Sequence, residues 1–380
     1  MLKSSVSSLD KIKLVVTLLV VIFLPFSESL KTISLLLLLF ILLIQLYRKE
    51  VTLKLSIIHY GFISLLLAGL ISSIFAYNPV KSLSGVKDIF FYTISFFVAC
   101  SIANAKHSRI ILWGLYLSTT LAAILAIPHS IGMHRQLEIH TLGNQNYTAM
   151  YLIIVIISMV SIIVFSDRET KFQKSIIGIF LSLTMIAAIM TAMRASFLGF
   201  FIFIGILLFA PKRPRISLLI FAGIVALSFL AVYLYKPMWT KLMATQSLIS
   251  RFYIWQYALD LLKDNPVIGI GLNHFKYTFP LSYTAEPGAT YFDAHSVYFQ
   301  TASQMGMFGL ISLFLIISGF LYKFAKTKTA SGFEKGVKYS ALGGFLVTFV
   351  VGIFDTTLHH EHAIVFALLT GLMIGLASKR

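Results

Sequence analysis

Long apolar runs separated by short polar or basic joints fill nearly the whole chain, and one polar stretch, residues 236 to 304, breaks the pattern. The runs fall at 12–28, 31–47, 55–77, 88–105, 109–128, 146–166, 175–193, 195–211, 216–235, 305–325, 339–358 and 363–378. A helix crosses about 30 Å of hydrocarbon with about 20 apolar residues, so these runs predict an all-α polytopic membrane protein of about twelve transmembrane helices. The expected organisation is a single integral membrane domain. Helices one to nine occupy 1–235, a large loop with short helices occupies 236–304, and helices ten to twelve occupy 305–380.

Composition narrows this further. The chain of 380 residues is 58% hydrophobic and only 12% charged, and its mean hydropathy is +0.88. A soluble domain carries about 25% charged residues, so none of ordinary size fits here. The formal net charge of +17 would ordinarily raise nucleic acid as a partner, but in a membrane chain basic residues first report orientation. Lys11 and Lys13, Arg48 and Lys49, Lys106 and Arg109, Lys171 and Lys174, Lys323 and Lys326, and Lys379 and Arg380 fall on alternate joints of the predicted plan. That bias predicts both termini in the cytoplasm and the 236–304 loop on the far face. The first run is expected to stay as a span, because Ser27-Glu28-Ser29 makes a poor signal-cleavage site. A single cysteine, Cys100, excludes an internal disulfide and a cysteine-based metal site.

Three far-face residues carry candidate chemistry. Arg194, in Met193-Arg194-Ala195-Ser196, lies between two apolar runs, where a guanidinium is expensive unless it meets a cavity, a partner or a ligand. It reads either as a snorkelling side chain or as a phosphate clamp, and no acidic neighbour in sequence pairs with it. Arg251 precedes Phe252, Trp255 and Leu259, whose three- and four-residue spacing predicts an amphipathic interfacial helix with Arg251 near its beginning. Free N–H groups at that end, with the guanidinium, would suit a pyrophosphate; lipid headgroups are the plainer alternative. His295 precedes the run that starts near Met305 and reads as a general base or as a structural histidine. The group His359-His360-Glu361-His362 is not assigned to a metal, since four adjacent residues on one helix end cannot all converge. No P-loop or GxGxxG is present, and Gly269-Ile270-Gly271 reads as a turn. Acidic residues are nearly missing from the runs, with Asp88 and Asp355 at predicted ends, which disfavours ion-coupled transport.

These residues resemble the O-antigen ligase and O-antigen polymerase superfamily of lipid-linked glycan transferases. The resemblance runs through Gly143-Asn144-Gln145-Asn146-Tyr147-Thr148-Ala149, Met193-Arg194-Ala195-Ser196, Arg251 with Trp255, the segment from Asn265 to Phe275, and Ala294-His295-Ser296-Val297-Tyr298, followed by Gly306-Met307-Phe308-Gly309. Many relatives have Asn where this chain has Ser296. The resemblance implies an inverting, metal-independent glycosyltransferase of the bacterial inner membrane, active on its periplasmic side, with no cofactor. Its donor would be an undecaprenyl-pyrophosphate-linked polysaccharide and its acceptor lipid A-core, among membrane lipids and without nucleic acid. Carried onto this chain, it implies His295 as base, Arg194 and Arg251 as the pyrophosphate clamp, and Trp255 and Asn146 as substrate-binding residues. O-antigen polymerase is the second expectation, and a lipid-linked glycan transporter, which needs no base at His295, the third.

Overall fold

A computed structural model of the chain describes residues 8–102, 104–133, 135–208, 223, 246–278 and 293–378. The described residues form helices, turns and loops, with no strand among them. The helices are α1 (Ser8–Phe23), α2 (Glu28–Tyr47), α3 (Ile57–Ile74), α4 (Pro79–Cys100), α5 (Ala105–Gly132), α6 (Gln145–Phe165), α7 (Lys171–Met190) and α8 (Arg194–Leu208). They continue with α9 (Gln246–Asp264), α10 (Phe275–Thr278), α11 (Val297–Lys326), α12 (Gly332–Phe345) and α13 (His360–Ala377). Among the described residues, 9 helical segments are long and apolar enough to cross a membrane, and Arg194–Leu208 is a shorter apolar helix. Every expected run except the ninth overlaps one of the helices α1 to α13, the first of them α1, whose 16 residues leave it outside those nine; 216–235 lies outside the described residues apart from Gly223.

The polar joints are helix caps. The side chain of Ser27 accepts from Leu30 N, that of Asn78 from Lys81 N with Pro79 following, and that of Asn144 from Asn146 N and Tyr147 N. Thr170 and Gln173 form a reciprocal capping box at α7. Each cap satisfies N–H groups that a helix start leaves without intrahelical partners, and so sets where a span begins.

Packing pairs distant parts of the chain: α3 lies on α11, α4 on α13 and α6 on α12. At the α3–α11 crossing, a Cβ on Gly61 would stand 2.7 Å from Ile316 N and one on Gly319 2.5 Å from Ile58 N, so the backbones meet through small residues. The helices α6 and α13 are buried on nearly every side, whereas α2 and α7 present leucine, isoleucine and phenylalanine outward.

The expected loop ends earlier than its polarity suggests. Helix α11 already begins at Val297 and is broken at Gly306, whose φ of 61° and ψ of −157° are not helical. The segment after α9 fills this break. Ile270 N donates to Ser303 O at 3.0 Å and Gly271 N to Gln304 O at 3.0 Å, while Met307 N donates to Pro266 O at 2.8 Å. Contact is so close that a Cβ on Gly269 would sit 2.3 Å from Gln304 C, and one on Gly306 2.5 Å from Val267 C. The turn read at Gly269-Ile270-Gly271 is therefore a backbone brace for a broken helix, with Gly269 at a φ of 67°.

The bundle has two contrasting ends. At one, Lys54, Lys323, Lys326 and Lys328 line a cavity of about 410 Å³ together with His59 and Cys100. At the other gather the starts of α6, α8 and α13, the residues ahead of α11, and the turn that follows α12.

Candidate functional site

His295 sits in the turn ahead of α11 at a φ of 45°, a left-handed conformation that side chains seldom adopt. Its backbone is held on both sides. Its own N–H donates to Asp293 Oδ1 at 3.0 Å, the preceding Ala294 N–H donates to Gln300 Oε1 at 2.7 Å, and Ser296 Oγ donates to Gly352 O at 3.3 Å. Strain fixed by so many bonds is the kind stored where a side chain must be aimed.

The imidazole faces two carboxylates. Nδ1 lies 3.5 Å from Asp293 Oδ1 and 3.7 Å from Asp355 Oδ1, inside ion-pair range and longer than a direct hydrogen bond. Both acids are held in turn. Asp355, buried after α12, accepts from Asn146 Nδ2 at 3.0 Å and from Thr356 N at 2.8 Å. Asp293 accepts from Thr356 Oγ1 at 2.9 Å and from Tyr147 Oη at 3.3 Å. With Nδ1 turned to the acids, Nε2 is the ring nitrogen directed away from them.

Burial works against a charged His295, but Asp355 and Asp293 outweigh it and hold the imidazole above its ordinary value. Burial likewise opposes charge on Asp293; the His295 ring and N–H, the Thr356 hydroxyl and His359 outweigh it, so this carboxyl lies below the usual range. The Arg251 guanidinium is half-buried, which lowers its value first of all, and it interacts electrostatically with Asp355, Arg194 and Asp293. His295 in turn feels the Arg251 charge. Arg194, Arg251 and His295, far apart in sequence, thus share one electrostatic neighbourhood with two acids.

Arg251 is the sixth residue of α9 as described from Gln246, so it lies near the beginning of that helix, as its spacing predicts. Arg194 is the first residue of α8, reached through a tight reversal at Ala192 with a φ of 55°. The buried stripe of α9 is Ile254, Ala258 and Leu261, packed on Phe275 and Ala294. Phe252 and Leu259, which carried the sequence pattern, point outward. Amphipathic periodicity foretold the helix but not which face is covered, because lipid and protein both accept apolar side chains.

Trp255 and Asn146, expected to bind substrate, both make bonds to the scaffold. Trp255 Nε1 donates to Ala294 O at 3.1 Å and its ring stacks on Phe299 at 5.1 Å, so it braces the residue beside His295. Asn146 holds Asp355. Sequence reading missed Asp293, Asp355, Tyr147 and Thr356 as parts of the site. The signals were Asp355 itself, a rare acid at the end of an apolar run, and Tyr147, which lies in the Gly143–Ala149 segment of the resemblance. His274, another far-face histidine, is buried: Nδ1 bonds Leu272 O at 2.9 Å and Nε2 accepts from Asn78 N at 3.2 Å.

Fold and site together define a multi-pass helical membrane protein with a charged, histidine-centred site at one end of its bundle. Residues 177–314, which take in Arg194, Arg251 and His295, match the family described as O-antigen ligase, and this match supports placing the chain in the O-antigen ligase superfamily. No curated protein matches the chain. The family implies ligase- or polymerase-type transfer of lipid-linked glycans in a membrane.

Proposed function

We propose that the chain is an O-antigen ligase: it moves a polysaccharide from undecaprenyl pyrophosphate to a sugar hydroxyl of lipid A-core at the periplasmic face of the inner membrane. The observation that carries this reading is the shared neighbourhood of His295, Asp293, Asp355, Arg251 and Arg194. In the proposed step, His295 Nε2 takes the proton of the acceptor hydroxyl while its oxygen bonds the donor's anomeric carbon. The bond from that carbon to the pyrophosphate oxygen breaks from the opposite face, inverting the centre. The leaving diphosphate gathers negative charge, which Arg194, Arg251 and the N-terminus of α8 are suited to meet. Asp355 and Asp293 stabilise the imidazolium that forms. Undecaprenyl pyrophosphate is already activated, so positioning, charge neutralisation and a base suffice without nucleotide.

The test is reconstitution. Purified chain given lipid-linked polysaccharide and lipid A-core is expected to yield the joined product without added nucleotide. Product formed from lipid-linked glycan alone would instead make the chain an O-antigen polymerase, which uses the same donor. His295→Ala is expected to lower transfer by about 10²- to 10⁴-fold, the usual contribution of a general base. Donor binding, measured separately, should stay within a few-fold, and a wild-type rate in this variant would remove the base assignment.

A further inference from the structure

Beside Tyr147 a second cluster joins α4 to the start of α13. Asp88, His359 and His360 each offer one ligand atom, and these atoms lie within 4.8 Å of one another. His359 Nδ1 stands 3.2 Å from Asp88 Oδ2. Yet this nitrogen is buried and makes no hydrogen bond among the described residues. A separation of 3.2 Å matches the edge of a tetrahedral zinc site, about 3.3 Å for metal–ligand bonds of about 2.0 to 2.1 Å.

Backbone geometry points the same way. Adjacent side chains normally diverge, to opposite faces of a strand or a third of a turn apart on a helix. Here Leu358 at a φ of 58° and His360 at 51° bend the chain so that the two imidazoles lie with centroids 4.2 Å apart. Two strained residues, one on each side of His359, bring like rings together beside a carboxylate and need a partner that rewards the arrangement. The other members of the group do not join: Glu361 pairs with Lys31, and His362 is buried inside the bundle. Convergence of four neighbours is thus avoided, while two of them meet an acid from another helix.

We infer that Asp88, His359 and His360 form a binding site for a divalent transition-metal ion, zinc foremost, that ties α13 to α4. Two imidazoles and one carboxylate are a borderline donor set that suits zinc and disfavours magnesium or calcium, which prefer oxygen. One coordination position is left for water. The ion would fix the wall on which Tyr147 rests, stacked on His359 at 5.9 Å and on His362 at 5.8 Å. Tyr147 also donates to Asp293, so the ion would act through packing and not in the transfer step. The site stands apart from the proposed transfer, because none of its three ligands is given to the substrate.

The experiment uses untagged full-length chain in lipid nanodiscs, stripped with chelator, dialysed, and offered zinc, magnesium or calcium. The expected result is about one zinc retained per chain by elemental analysis, with neither magnesium nor calcium retained, and a rise in melting temperature with zinc alone. Asp88→Asn and His360→Ala are expected to keep less than a tenth of an equivalent, and His140→Ala, an exposed histidine outside the cluster, the full amount. Because a ligand variant can fail by misfolding, zinc-edge absorption spectra of the wild-type chain give a second reading, expected to show nitrogen and oxygen neighbours only, including two imidazoles. Retention below a tenth of an equivalent by the wild-type chain would overturn the inference, as would equal retention by all variants or a spectrum with a single imidazole.

Discussion

Asp355 shows what a residue can do without touching substrate. It is buried, takes hydrogen bonds from Asn146 and its own neighbour Thr356, and faces His295 Nδ1 at 3.7 Å. The base in the proposed reaction is the neutral imidazole. Since the two acids hold His295 above its ordinary value of about 6.5, transfer is expected to rise with pH along a limb centred above that value. Asp355→Asn removes one of the influences that raise it, so the limb should move to lower pH while the plateau rate falls by about 10²-fold. A pH–rate profile of the variant checks both; an unmoved limb would detach Asp355 from the base. The linked effect on stability has the opposite sense. A group raised in the folded state stabilises the fold at low pH, and that contribution fades as pH climbs through the raised value. At this scale the sequence was legible residue by residue. Arg194 stands out because membrane surroundings make a guanidinium expensive, Arg251 through the apolar spacing that follows it, and His295 as an imidazole that titrates near neutrality. The support of Asp355 did not stand out, since Asn146, which holds it, is separated from it by 209 positions and only the fold brings them together.

Among the elements, the broken helix α11 sets the aim of the site. Its first turns, from Val297, carry Gln300 and Phe299, which hold Ala294 and Trp255 next to His295. The break at Gly306 exists because the 266–271 backbone docks there through paired hydrogen bonds. Gly269→Ala would put a Cβ 2.3 Å from Gln304 C at a φ of 67°, against backbone that cannot swing aside. The expected cost is at least about 1 to 3 kcal/mol, from left-handed strain and overpacking. Thermal melting in detergent should register that loss. Transfer should fall more than folding does, since the brace lies between α9, which bears Arg251, and the turn that bears His295. Spans were legible because about 20 apolar residues have few other fates. The start of α11 was not: Tyr298, Gln300, Thr301, Ser303 and Gln304 dilute its hydropathy, and the helix forms there because α3, α9 and the brace cover it.

Over the whole molecule the decisive asymmetry is of charge. Among the described residues Lys54, Lys323, Lys326 and Lys328 gather around one cavity at one end, and the His295 site lies at the other. Translocation keeps clusters of basic residues on the cytoplasmic side, so the lysine end is expected to face the cytoplasm and the His295 end the periplasm, the side the proposed transfer requires. The expectation rests on spacing, because orientation depends on local charge at the joints and not on how the helices pack. Two exposed tyrosines make it measurable. Tyr77, in the α3–α4 joint, is 99% exposed at the site end, and Tyr47, at the close of α2, is 89% exposed at the lysine end. The chain's one cysteine, Cys100, is buried, so its background should be low. In intact inner-membrane spheroplasts, a membrane-impermeant maleimide is expected to label Tyr77→Cys and to leave Tyr47→Cys untouched until the membrane is opened. The reverse pattern would put His295 on the cytoplasmic side, away from the periplasmic donor and acceptor. It would exclude the ligase reading even if every distance around the imidazole stood.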